Sequence, residues 1–146
     1  MKNPTPSPLL AFKQYYEEFH QRSFDELDAI YADDVVFTDP IHVIRGREPL
    51  KIYFEGMCRN LTACHFDFMD EVIMGSRACY KWEMHYKHPT IKQNQPLKLT
   101  GATFITFSDK IESHEDFYDM GAMLYEKLPL MGSAIRMIKS RLEKNR

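Results

Sequence analysis

CHFDFMDEVIMGSRACYKWEMHY, residues 64–86, alternates large apolar and polar side chains along most of its length. Cys64, Phe66, Phe68, Val72 and Met74 fall on one face at a period of two, with Asp70 as the exception. Tyr80, Trp82, Met84 and Tyr86 alternate in the same way after Gly75-Ser76, a pair suited to a two-residue hairpin turn with glycine first. A period of two over such lengths predicts two long, half-buried antiparallel strands.

Strands continue on the C-terminal side. Lys87 to Gln95 is a polar loop bounded by Pro89 and Pro96, and Leu97, Leu99, Gly101, Thr103, Ile105 and Phe107 then alternate again. Gly101 in mid-strand points to a bend or bulge. Ser108-Asp109-Lys110 turns the chain into a last strand reaching about Met120.

The N-terminal third has helical spacing instead. Ser7 followed by Pro8 is a helix-start signal, and Leu9, Phe12, Tyr16 and Phe19 follow on one face. Ser23 opens a capping box with Glu26, and Phe24, Leu27, Ile30 and Tyr31 supply the stripe of a second helix. Asp33-Asp34 ends it, Val35-Val36-Phe37 begins a short strand, and Asp39-Pro40 stops pairing. Gly46 and Arg47 open a third helix whose face is Leu50, Tyr53, Phe54, Met57 and Leu61. Helices first and strands after predict an α+β fold, with a strongly curved antiparallel sheet whose concave side is closed by three N-terminal helices. The organisation expected is an arm (1–7), one pocket domain (8–120) and a tail (121–146).

Composition narrows the function classes. With 44% hydrophobic and 27% charged residues, the chain is globular rather than disordered. A net charge of −2 argues against nucleic acid as a partner. Cys58, Cys64 and Cys79 are odd in number and form no C-x-x-C pair, which predicts a reduced, cytoplasmic setting rather than a disulfide scaffold. The N-terminus carries no apolar stretch of signal-peptide length, and no run is long enough to span a membrane. There is no G-x-S-x-G, P-loop or G-x-G-x-x-G, so no cofactor is expected.

The segment from Tyr15 through YADDVVFTDP (Tyr31–Pro40) to GREPL (Gly46–Leu50) resembles the SnoaL-like branch of the nuclear transport factor 2-like superfamily. Ketosteroid isomerase, scytalone dehydratase and limonene epoxide hydrolase share that fold. The resemblance covers roughly residues 8–120 and implies a cone with a pocket at its wide end. By position, Asp39 matches the general-base aspartate of ketosteroid isomerase and Tyr15 its oxyanion-hole tyrosine. The second acid of that oxyanion hole would fall near Thr103 and is absent here.

Four groups of residues carry chemistry. Asp39 is a candidate base, its carboxyl lifted by apolar walls, or else the cap of a D-P turn. Strand alternation puts His114, Asp116 and Tyr118 on one face, either as an acid–base dyad with a phenol donor or as a satisfied polar ladder. Trp82 is the foremost candidate for a ligand contact, joined by Tyr53, Thr103 and Tyr118, with ordinary core packing as the alternative. His85-x-x-His88 places its histidines on opposite faces of a strand, so no metal is expected. The tail has six basic and two acidic residues. Met131, Ile135, Ile138 and Leu142 line one face of a helix starting near Ser133, expected to dock on protein, with weak contact to an anionic membrane as the lesser option.

Two functions follow. One is a small hydrophobic-ligand enzyme of isomerase, dehydratase, cyclase or hydrolase type. The other is a non-catalytic ligand-binding or protein-interaction domain. A homodimer through the convex face of the sheet, which carries Phe104, is also expected.

Overall fold

Tyr16 and Phe19 stack on each other and meet Phe54 and Phe66, with ring centroids 5.2–6.2 Å apart, and this aromatic cluster is where helices and sheet join. The computed structural model describes residues 4–123 and 129–144, and the side chains of these outside 122–135. Helix α1 (Ser7–Glu17) is followed by a 3-10 helix (Phe24–Ala29), strands β1 (Tyr31–Thr38) and β2 (Val43–Arg45), and helix α2 (Arg47–Arg59). Strands β3 (Ala63–Met74), β4 (Arg77–Lys87), β5 (Leu97–Phe107) and β6 (Ile111–Tyr118) come next, then helices α3 (Met120–Met123) and α4 (Pro129–Lys144). The sheet runs β2-β1-β6-β5-β4-β3, and the concave face of this curved, unclosed sheet packs on α1 and α2. An α1 of 11 residues is marginal alone, so burial of Leu9, Phe12, Tyr15 and Tyr16 must hold it in place.

The α+β reading stands, with local differences. Ser7 does not cap α1; Pro6 occupies that position, and no side chain bonds there. The middle helix is 3-10 rather than α. Its capping box is present, with Asp25 N donating to Ser23 Oγ at 3.3 Å and Ser23 N to Glu26 at 3.1 Å. Strand β1 begins at Tyr31, ahead of the acidic pair, and its pairing with β6 shifts register between Tyr31 and Val36. Arg47 holds that segment through an ion pair with Asp33 and a bond to the Tyr31 carbonyl. The β1–β6 pairing is parallel, the one parallel step among the described strands. Strand β2 lay in a stretch that had no strand signal.

The Asp70 exception has a cause. The β3–β4 register slips between Phe68 and Asp70, leaving Met69 as an extra residue. Every later side chain of β3 therefore changes face. Val72 and Met74, expected inside, are 64% and 73% exposed. Glu71 reaches Lys13 of α1 at 3.4 Å in an exposed ion pair.

Gly101 makes no bulge. The β4–β5 register is unbroken from Arg77↔Thr106 to Tyr86↔Leu97, with Gly101 opposite Trp82. A Cβ at 101 would lie 2.4 Å from Trp82 Cη2 and 2.8 Å from the Phe117 carbonyl oxygen. The glycine is there because the indole lies over it. Gly101→Ala should cost about 1–3 kcal/mol, seen as a lower urea midpoint, since a ring or a backbone must move. An unchanged midpoint would show that the indole has room to yield.

Helix α4 begins at Pro129, four residues before the expected Ser133. Ile138 and Leu142 are exposed, and Lys139 pairs with Asp119. The proposed contributions of Met131 and Ile135 to its apolar face lie outside the described side chains. Among the described residues no helix is long and apolar enough to cross a membrane.

Candidate functional site

Strand β6 is the spine of the site. His114, Asp116 and Tyr118 share its concave face, opposite Ile105, Thr103 and Gly101 of β5. Trp82 of β4 completes the row at Gly101.

His114 is 1% exposed and packed among Phe12, Tyr16, Tyr31 and Phe37. A buried imidazole needs partners for both nitrogens. Nε2 lies 2.7 Å from Asp116 Oδ1, and Nδ1 lies 2.8 Å from the Tyr31 hydroxyl. That hydroxyl is 2.8 Å from the Tyr16 hydroxyl. On the other side Thr103 Oγ1 donates to Asp116 Oδ1 at 2.5 Å, and Trp82 Nε1 donates to Thr103 Oγ1 at 2.7 Å. The chain of bonds therefore runs Tyr16, Tyr31, His114, Asp116, Thr103, Trp82. With a carboxylate at Asp116, every proton has a place: Tyr16 donates to Tyr31, Tyr31 to Nδ1, and Nε2–H to the carboxylate. Burial raises the Tyr16 and Tyr31 hydroxyls well above the ordinary phenol range, so both stay protonated donors.

Asp116 has a second oxygen. It has no hydrogen-bond partner among the described residues, and Asp116 lines a cavity of about 40 Å³. Tyr16, Phe37, Tyr53, Phe54, Met57, Phe66, Trp82, Met84, Leu99 and Tyr118 form most of the rest of its wall. Asp39 stands at the edge, and a shallow surface depression shares Asp39, Asp116 and Tyr118 with the cavity. The volume holds a few water molecules or a very small ligand. Tyr118, raised by burial and then by Asp39 and Asp116, is a protonated donor with no partner among the described residues.

Asp39 differs from its expected role. Burial would raise its carboxyl, but bonds from Tyr53, the Ile41 and His42 amides and the His42 ring outweigh burial and hold it below the usual range. Oδ1 accepts the two amides at 2.8 and 2.7 Å, and Oδ2 accepts the Tyr53 hydroxyl at 2.5 Å. It is a turn cap and an anchor for Tyr53, and a weak base.

The expected residues separate accordingly. Trp82, Tyr53, Tyr118, Asp116 and Asp39 reach the cavity. Thr103 does not; it stands behind, 1% exposed, joining Trp82 to Asp116. His114 likewise acts from behind. Tyr15 points elsewhere: its hydroxyl is buried without a hydrogen-bond partner, near Cys58, Glu26 and Arg22. Tyr16, the next residue, faces the cavity instead. Tyr16 and Tyr31 were read only as apolar stripe, although a buried phenol needs a hydrogen-bond partner. The thiols offer no nucleophile, since burial pushes Cys64 up to about 12 and also raises Cys58 and Cys79.

A family model described as a SnoaL-like domain matches residues 12–114. The chain belongs to the SnoaL-like domain family. No curated protein matches it in sequence. Solved structures similar to this SnoaL-like domain include a protein of ketosteroid isomerase-like fold from Catenulispora acidiphila, in complex with trimethylamine. It is 17% identical, covers 86% of this chain and 96% of its own, and has a TM-score of 0.74. A putative SnoaL-like polyketide cyclase from Jannaschia is 10% identical over 85% of this chain and 95% of its own, with a TM-score of 0.72. TerC, co-crystallised with polyporic acid, is 17% identical over 80% of this chain and 94% of its own, with a TM-score of 0.68. At these identities the likeness establishes the fold, and this SnoaL-like domain has the nuclear transport factor 2-like architecture.

Proposed function

We propose that this SnoaL-like domain binds a small hydrophobic molecule in the cavity and moves a proton on it with Asp116. The observation that carries the reading is the divided carboxylate: Oδ1 is pinned by His114 and Thr103, while the second oxygen is left without a partner on an apolar cavity. A base held in this way can remove a proton beside a carbonyl. The Tyr118 phenol can donate to the oxyanion that forms, and Tyr53, anchored on Asp39, closes the edge. The reaction class is isomerisation, dehydration, cyclisation or hydrolysis, carried by the chain's own side chains. Neighbours of the same fold bind trimethylamine and polyporic acid, which supports a small-molecule ligand.

A non-catalytic binding domain is the second reading, favoured by the small volume and by a network that closes on itself. Trp82 separates binding from its absence, since it is the single tryptophan and lines the cavity. Titration with small cyclic ketones and phenols should change its emission saturably. A panel that leaves the emission unchanged throughout would overturn both readings.

The exposed side of the sheet carries Phe104 and Phe117 with ring centroids 5.6 Å apart, and Val72 and Met74 are exposed two strands away on β3. A homodimer through that face is part of the proposal, because a patch of this kind is costly in water. Sedimentation at micromolar concentration should give a dimer, and a species of monomer mass alone would remove it.

A further inference from the structure

We propose that the convex face of the sheet holds a site for one divalent transition-metal ion of the zinc class, formed by His65 and Asp67 of β3 with Glu83 and His85 of β4. The register builds it: His65 pairs with His85 and Asp67 with Glu83, so four side chains project from one two-by-two patch. Their neighbours Phe66, Trp82 and Met84 point the other way, into the core. The patch is therefore separate from the cavity. One ligand atom each from His65, Asp67 and His85 lies within 4.8 Å of the others. The two imidazoles are stacked, with centroids 4.8 Å apart and planes 10° apart.

His85 Nε2 is the telling atom. It is buried and makes no hydrogen bond, although Glu83 Oε1 lies at 2.9 Å and Asp67 Oδ2 at 3.1 Å. Neither oxygen is in a hydrogen bond with it, which leaves the lone pair of the neutral ring available to a metal ion. A metal ion on that lone pair fits the geometry. Ligand atoms of a tetrahedral zinc site with bonds near 2.0–2.1 Å stand about 3.3 Å apart. The shortest separations here are 2.9, 3.1 and, for His65 Nε2 to Asp67 Oδ1, 3.9 Å, and the exposed His65 ring, nearly parallel to that of His85, has to turn to bring its nitrogen onto the same ion. Lys98 holds the other oxygen of Glu83 at 3.5 Å and leaves Oε1 turned to His85. Imidazole and carboxylate together suit zinc, copper or nickel rather than calcium or magnesium.

Linear spacing hides this site. His88, the partner suggested by His85-x-x-His88, is engaged with Thr90 beyond the strand. His65 and His85 meet only once the hairpin register is known.

The test is calorimetric titration of chelator-treated, full-length protein with Zn²⁺. One ion per chain should bind, and His65→Ala and His85→Ala should each weaken it roughly tenfold or more. The two histidine side chains are 50% and 35% exposed, so these variants should fold, and the near-isosteric Asp67→Asn gives a third reading. Co²⁺ in place of Zn²⁺ should show d–d bands without sulfur charge transfer. Absence of Zn²⁺ binding, equal binding in His85→Ala, or a thiolate signature from the cysteines would overturn the site.

Discussion

Asp116→Asn should lower turnover by roughly 10²–10⁴-fold while leaving the fold in place, the range ascribed to a positioned base. The amide oxygen can still accept from His114 and Thr103, which hold Oδ1 at 2.7 and 2.5 Å, so the network keeps its shape. The amide nitrogen then faces the cavity where the second carboxylate oxygen stood, and it cannot take a proton. Binding should survive, read by Trp82 emission, so the loss belongs to kcat rather than KM. Asp39→Asn is the contrast, since Asp39 has its oxygens engaged by Ile41, His42 and Tyr53. Near-normal turnover in Asp116→Asn, with loss in Asp39→Asn, would return the base role to the position that the family resemblance suggested.

His114→Ala should destabilise the protein by about 2–4 kcal/mol, measured by urea unfolding. Two partners are stranded at once: the Tyr31 hydroxyl and one bond of Asp116. A void also opens among four aromatic rings. His114→Gln retains a donor and an acceptor and should recover part of the loss, whereas a volume effect alone would favour His114→Leu. Stability in His114→Leu equal to or above that of the glutamine variant would show that the ring is held for its shape.

The strands and the shared face of His114, Asp116 and Tyr118 are legible because alternation at a period of two is a property of neighbouring residues, while which face is concave is not. What failed was non-local. Nothing near Met69 announces a slipped register, yet one extra residue moves Val72 and Met74 to the outside. Gly101 was read as a backbone feature because Trp82, its cause, lies on another strand. Tyr15 and Tyr16 are adjacent on α1, and only the packing of that helix decides which phenol meets the cavity. Asp39 stands at the cavity edge, but the bonds that lower it come from Tyr53 and the turn amides, which spacing does not display.

The parallel step between β1 and β6 also sets an order in time. Strands β3 to β6 follow one another as antiparallel neighbours and can zip from their turns within a short span of chain. Tyr31 must instead wait for His114, 83 residues later. Closing so long a loop is slow, since its entropy is lost before the contact repays it. During synthesis the phenols of α1 and β1 leave the ribosome well ahead of the imidazole and carboxylate that will hold them. The bonded row of Tyr31, His114 and Asp116 is thus assembled last, and a chain arrested before β6 would present the aromatic faces of its helices to solvent with nothing to close them.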